Sequence, residues 1–233
     1  ISRASGCTAR VAIRVNPDFE LKSSGMKMGG GSKPFGIDAE QVPAALLEIG
    51  QRQLEFEGFH LFAGSQNLRA ASLIEAQSKS YELARALSAY APSPPRTLNL
   101  GGGFGLPYFP GDQVLDVEAV AAHLRALAQR AASELPGCRL AIELGRYLVG
   151  EAGVYICKIL DSKVSRGQRF LIVDGGLHHH LAASGNFGQV VRRNYPTAIG
   201  NRMGASATAD VSVTGPFCTP LDLLADRADL PEA

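Results

Sequence analysis

The chain has 233 residues, 45% hydrophobic and 19% charged, with a formal net charge of +1. That balance suits a globular protein of about one to one and a half domains with a true core, and it supplies neither the basic field of a nucleic-acid binder nor an acidic tail. No apolar run is long enough to span a bilayer and the N-terminus carries no secretory pattern, so a soluble, cytoplasmic protein is expected.

In chain order, "VAIRVNP" from Val11 to Pro17 reads as a strand, β-branched and stopped by proline. "SSGMKMGGGSKPFG" (Ser23 to Gly36) reads as a flexible loop. Ala39 to Gln53 carries helical spacing, "FEGFHLFAG" is a strand, and Leu68 to Tyr90 a long amphipathic helix. "RTLNLGG" is a third strand, Val117 to Leu135 a third helix, and "RLAIELG" a fourth strand. Alternating strands and helices call for parallel βαβ units with right-handed crossovers, in a doubly wound sheet or a (β/α)₈ barrel. After Gly150 the pattern turns β-rich: "VYICKILDSKV" and "RFLIVD" are joined by "SRGQ" without a helix, and "ADVSVTGP" follows. The domains expected are therefore 1–150, the later part of a barrel, and 151–233, the beginning of a β-rich domain. Four barrel strands cannot close a barrel. The chain also begins at Ile1 rather than Met and stops at "DLPEA", so a piece of a longer protein is expected.

The four cysteines (Cys7, Cys138, Cys157, Cys218) form no Cys-x-x-Cys pair, so neither a zinc site nor a disulfide framework is expected. His178, His179 and His180 are adjacent and cannot share one face of a helix or strand, so no metal centre is expected there.

"LNLGGGFG" places three glycines at the end of an apolar strand, where bare main chain can approach an anion. The Gly-Lys-Ser/Thr of a P-loop is missing, and the spacing gives no dinucleotide fingerprint. The next strand ends in "IELGR", which sets Glu143 and Arg146 beside that turn if the two strands are parallel neighbours. A guanidinium suits phosphate and a carboxylate suits a protonated ring nitrogen; a surface ion pair with no ligand is the alternative.

Taken together and in order, "RVNP" with "KPFGI", "GFHLFAGSQ", "LNLGGGFG", "ELGR" and "VTGPFCTPLD" resemble the landmarks of the fold-type III pyridoxal-phosphate amino-acid decarboxylases, the group of the diaminopimelate, ornithine and arginine enzymes. "HHHLAASGNFG" and "NYP" resemble a subgroup that acts on carrier-protein-linked amino acids or is associated with exosortase gene clusters. The resemblance implies an alanine-racemase-like barrel, pyridoxal 5′-phosphate as cofactor, an amino-acid substrate and a homodimer with the active site at its interface. It implies that Ser65, Gly102, Gly103, Gly145 and Arg146 bind the cofactor phosphate, that Glu143 partners the pyridine nitrogen, and that His60 and Phe62 lie at the ring. Cys218 matches the cysteine that delivers a proton across the dimer interface, while Thr219, Asp222, Tyr195 and Arg193 fall at the substrate.

The departures narrow the reading. Phe62 stands where the family stacks a histidine; it can stack but cannot donate. Thr219 stands where the diaminopimelate enzymes have Glu and the ornithine enzymes Asp, so a distal ammonium would lack its countercharge. A substrate without a free distal ammonium, such as a glutamyl group held through its side-chain carboxyl, is therefore expected. The lysine that carries the cofactor in this family lies in the early barrel; none of Lys22, Lys27, Lys33, Lys79, Lys158 and Lys163 matches its motif, so this chain alone is expected to be inactive. The rival readings are a racemase of the same fold, which sets a basic residue at the pyridine nitrogen, and a non-catalytic decarboxylase-like regulator.

Overall fold

The computed structural model describes residues 2–20, 26–27, 29–184, 192–206 and 209–231. The chain divides into two compact units, Ile1–Pro107 with Gln113–Gly150, and Tyr108–Asp112 with Glu151–Ala233.

In the first unit a short helix, α1 (Ser2–Ser5), leads into β1 (Arg10–Asn16). β2 (Met26–Lys27) and β3 (Ile37–Asp38) follow, so the expected loop holds one short strand and a second begins directly after it. Residues 21–25 and 28, Lys22 among them, lie outside the described residues. A 3₁₀ turn, Ala39–Gln41, opens α2 (Val42–Gln51), where Pro43 falls in the first turn and leaves no inner hydrogen bond unmade. β4 (Glu55–Leu61) stops one residue before Phe62, and β5 (Gly64–Ser65) turns away to pair antiparallel with β2.

α3 (Ala70–Leu87) is shorter than its sequence signal because Arg69 is extended and residues 88–90 tighten into a 3₁₀ turn. Its inward face is Leu73, Ala76, Gln77, Ser80, Tyr81, Ala84 and Leu87, which recur with helical periodicity. β6 (Thr97–Gly102) leads to α4 (Val117–Glu134), capped by Asp116, whose carboxylate accepts from the Ala119 N–H at 3.0 Å. β7 (Arg139–Glu143) and the five-residue α5 (Gly145–Val149) complete the unit.

The sheet runs β3-β1-β4-β6-β7, parallel throughout. From β1 onward each strand pairs with the next after its helix, without the order reversal of a doubly wound sheet. That is barrel winding. It brings the ends of β1, β4, β6 and β7 to one edge. The core beneath that edge holds Val15, Leu46, Phe59, Leu61, Tyr81 and Leu98, and a second cluster of Leu73, Phe104, Leu115 and Val120 backs the glycine turn.

The second unit is a four-stranded sheet, β11-β10-β9-β8, made of β8 (Ile159–Ser165), β9 (Gln168–Val173), β10 (Ala209–Thr214) and β11 (Leu223–Leu230). β8 starts at Ile159, later than expected; Lys158 is instead held by the Asp174 carboxylate, which accepts from its N–H at 2.8 Å. β11 was not apparent in the sequence. Its charges Asp226, Arg227 and Asp229 fall on exposed positions, and Arg227 has φ of 48°, where the register slips as in a bulge. Among the described residues no helix is long and apolar enough to cross a membrane.

Candidate active site

The three glycines of the β6 turn meet neighbouring main chain on both sides. A Cβ on Gly101, where φ is +70°, would lie 2.6 Å from the Leu61 carbonyl oxygen and 2.9 Å from the Phe62 ring. A Cβ on Gly102 would be driven into the carbonyl oxygen of Glu143, and one on Gly103, with φ +89°, into that of Gly64. Each glycine thus lets the turn close against a strand end or loop beside it: β4 on one side, β7 on the other, and the β5 loop beyond. The loops are then zipped together. The Asn67 N–H donates to the Gly103 carbonyl at 2.8 Å, the Gly105 N–H to that of Asn67 at 2.9 Å, and the Gln66 amide bonds the Leu106 main chain. Ser65 is therefore carried on a loop fastened to the glycine turn.

Glu143 ends β7 directly opposite Gly102. Its side chain is 50% exposed. Asn99 donates from Nδ2 to Glu143 Oε1 at 2.9 Å, and His60 Nε2 lies 3.4 Å from Oε2. Arg14, His60 and Asn99 are register partners across β1, β4 and β6, so a polar row lines one face of the sheet up to Glu143. The Arg14 guanidinium lies 5.3 Å from the Phe35 ring and 6.0 Å from that of Phe62. Gly145 opens α5, where an added Cβ would meet nothing within 4 Å, and Arg146 follows it, partly buried.

The remaining sequence-derived residues belong to the second unit. Asp222 is 2% exposed, and its carboxylate accepts from the Leu177 N–H at 2.8 Å and the Phe217 N–H at 2.9 Å. Gly176 and Gly215 pack onto it so closely that a Cβ on either would strike its oxygens. Asp222 therefore staples the turn at residues 176–177 to the 215–222 loop that carries Cys218. Cys218 is exposed, and the partly exposed Thr219 hydroxyl accepts from the Leu221 N–H at 3.3 Å. His178 stacks on Phe217 at 4.4 Å and on His179 at 3.8 Å, so the histidine run belongs to an aromatic cluster with Tyr155. Burial and then a hydrogen bond with Cys157 push the Tyr155 hydroxyl up to about 12. Arg193 lies 3.8 Å over the Phe109 ring, and Tyr195 packs edge-on to Tyr108 at 5.1 Å. Asp112 accepts from the N–H groups of Tyr108 and Phe109 and holds that segment in shape.

The site thus unites Ser65, Gly102, Gly103, Glu143 and His60 on the loops and strand ends of the first unit, with Phe62 packed on Gly101. Asn99 was missed by sequence reasoning. Its signal was a polar residue between two leucines of an otherwise apolar strand, which turns it to the face opposite the buried Leu98 and Leu100.

Known proteins resemble the chain along nearly its whole length. The chain is 38% identical over 229 residues to the L-glutamyl-[BtrI acyl-carrier protein] decarboxylase of Niallia circulans, which covers 96% of this chain and 53% of the relative. It is 28% identical over 241 residues to the diaminopimelate decarboxylase of Bacillus subtilis, covering 100% and 53%. A crystal structure of a diaminopimelate decarboxylase superposes with a TM-score of 0.79 at 26% identity, covering 96% of this chain and 54% of that one. The Helicobacter pylori enzyme (I148L mutant) complexed with L-lysine superposes with a TM-score of 0.75 at 26% identity, covering 100% and 55%. The chain spans about half the length of the curated relatives it matches. With residues 1–150 matching the family described as pyridoxal-dependent decarboxylase, pyridoxal binding domain, the chain belongs to the pyridoxal-dependent decarboxylases, on an alanine-racemase-like α/β fold.

Proposed function

We propose that the protein is a pyridoxal-phosphate-dependent carboxy-lyase that decarboxylates an L-amino-acid derivative, a glutamyl group linked to a carrier protein. The observation that carries the class of reaction is the Glu143 carboxylate, set beside Gly102, half exposed, with Oε1 held by Asn99 and Oε2 3.4 Å from His60.

The donor set fits the cofactor. A carboxylate for a ring N–H, a guanidinium at Arg146, a hydroxyl at Ser65 and the bare main chain of Gly102, Gly103 and Gly145 are the groups a phosphopyridine requires. Pyridoxal 5′-phosphate supplies an electron sink for the pair left behind when the carboxyl group departs as CO₂. Glu143 would accept the ring-nitrogen hydrogen bond and so hold its proton in place. Phe62 and His60 would border the ring, and Phe62 contributes a stacking face without a donor. A racemase reading asks for a basic residue at the nitrogen, and a carboxylate opposes it.

Thr219 and the Niallia circulans relative support the choice of substrate. The Thr219 hydroxyl offers no negative charge, and a buried distal ammonium left unpaired costs far more than one lost neutral hydrogen bond. We further propose that the protein is a cytoplasmic homodimer in which Cys218 of one protomer delivers the proton at the other's cofactor, with Arg193 and Tyr195 near the substrate. In this reading residues 1–150 are the C-terminal part of the barrel and 151–233 the beginning of the second domain.

The test measures CO₂ release by the full-length protein, loaded with cofactor, from a glutamyl thioester of a carrier protein, from meso-diaminopimelate and from L-ornithine. Preference for the glutamyl thioester is expected; preference for diaminopimelate overturns the substrate assignment and leaves the reaction class standing.

A further inference from the structure

We propose that Asn99 is a positioning residue that sets the direction in which the Glu143 carboxylate faces the cofactor ring. The proposal rests on the reading of Glu143 given above and adds a residue that reading does not contain.

The register explains why such a residue is needed. Asn99 pairs with Ala141 and Gly102 with Glu143, so β6 takes three steps where β7 takes two. The ladder is interrupted at the point where Glu143 projects, as at a bulge. β7 is also the last strand of the described sheet, and the Glu143 side chain is half exposed, so packing alone leaves its rotamer loosely set. The Asn99 side chain bridges the interruption. Its Oδ1 accepts from the Gly101 N–H at 2.9 Å, and its Nδ2 donates to Glu143 Oε1 at 2.9 Å. The amide can face only one way: a main-chain N–H only donates and a carboxylate only accepts, so Oδ1 must meet Gly101 and Nδ2 must meet Glu143. His60 Nε2 stands 3.4 Å from the other carboxylate oxygen but makes no hydrogen bond to it, so the Asn99 amide is the hydrogen bond that orients the group. One planar amide therefore couples the glycine turn to the carboxylate.

Asparagine is the side chain that does both. Leucine would lose both bonds. Aspartate would keep the acceptor for Gly101 but set a second negative oxygen against Glu143. Exchanging both residues, Asn99→Asp with Glu143→Gln, restores the hydrogen bond with donor and acceptor interchanged and so separates shape from charge.

Full-length protein is stripped of cofactor and titrated with pyridoxal 5′-phosphate in wild type, Asn99→Asp, Glu143→Gln and the double variant. Three quantities are read: the dissociation constant, the pH midpoint of the bound cofactor's absorbance, and the melting temperature of the cofactor-free protein. Asn99→Asp is expected to weaken cofactor binding about tenfold and to move the absorbance midpoint. In the double variant the melting temperature returns to the wild-type value while the absorbance midpoint stays where Glu143→Gln alone puts it, because the two residues act as one unit. If Asn99→Asp leaves affinity and midpoint unchanged while Glu143→Gln alters both, Asn99 does not position the carboxylate and the reading of Glu143 survives. If the two effects simply add, the proposal fails as well. If Glu143→Gln changes neither quantity, the reading of Glu143 fails first and takes the proposal with it.

Discussion

Gly102 stands opposite Glu143 across β6 and β7, with its Cα face pressed against the Glu143 carbonyl oxygen. The contact leaves no room for a methyl group, so Gly102→Ala must push the two strand ends apart. It is expected to destabilise the protein by about 3 kcal/mol, read by chemical denaturation. Gly145→Ala makes the contrast, since a Cβ there meets no atom within 4 Å. That variant keeps wild-type stability and reports instead, through cofactor affinity, whether a ligand uses the space. Equal stability losses in the two variants would remove the basis for treating Gly102 as a close-approach position.

Asp222 gives a second prediction. Removing its buried carboxylate in Asp222→Ala leaves the part-buried N–H groups of Leu177 and Phe217 without this acceptor. The expected cost is about 2 kcal/mol, seen as a lowered melting temperature, and under the role proposed for Cys218 its loosened loop slows proton delivery. A substrate ligand would behave otherwise, raising KM at unchanged stability. That pattern would return Asp222 to the role the family resemblance implies.

A third prediction concerns acid stability. Arg130 of α4 donates to Glu82 of α3 at 2.8 Å and, within its own helix, to Glu134 at 3.1 Å, and these hydrogen bonds lower both carboxyls from their usual value. A depressed carboxyl contributes stability above its unfolded pKa and loses it as pH falls through the folded value. Arg130→Ala is therefore expected to lower stability at neutral pH and to flatten its decline on the acid side. All three groups are substantially exposed, so the effect is modest and shrinks at high salt. Burial pushes the His123 imidazole down, which adds to the decline below its unfolded value in wild type and variant alike. Parallel pH profiles for wild type and variant would show that the network carries no linkage.

Thr219 supplies a fourth prediction. Thr219→Glu introduces the negative charge that the resemblance places at this position in the diaminopimelate enzymes. Turnover of diaminopimelate relative to the glutamyl thioester is expected to rise by about tenfold or more, measured as a ratio of kcat/KM values. An unchanged ratio means that the residue after Cys218 does not sense the distal end of substrate.

The barrel half was legible because its signals are local and repeated. Pro17 ends β1, Asp116 caps α4, and the inward stripe of α3 keeps helical spacing over 18 residues. The pairing of Glu143 with the glycine turn was legible too, since parallel strands that follow one another put their ends together. Asn99 was not, because its importance depends on a register slip that only the folded sheet displays. β11 was hidden for a related reason: a bulge at Arg227 breaks the period-two pattern, so its charges read as loop. The glycines were read as an anion cradle, and the structure adds a use not visible in sequence, close contact with the main chain at Leu61, Gly64 and Glu143.

The central claim is that Glu143 meets the ring nitrogen of pyridoxal 5′-phosphate. The most direct measurement is the ¹⁵N chemical shift of ring-labelled cofactor bound to full-length wild-type protein and to Glu143→Gln. The account predicts a protonated nitrogen in the wild type and an unprotonated one in the variant. The same protonation state in both would contradict it.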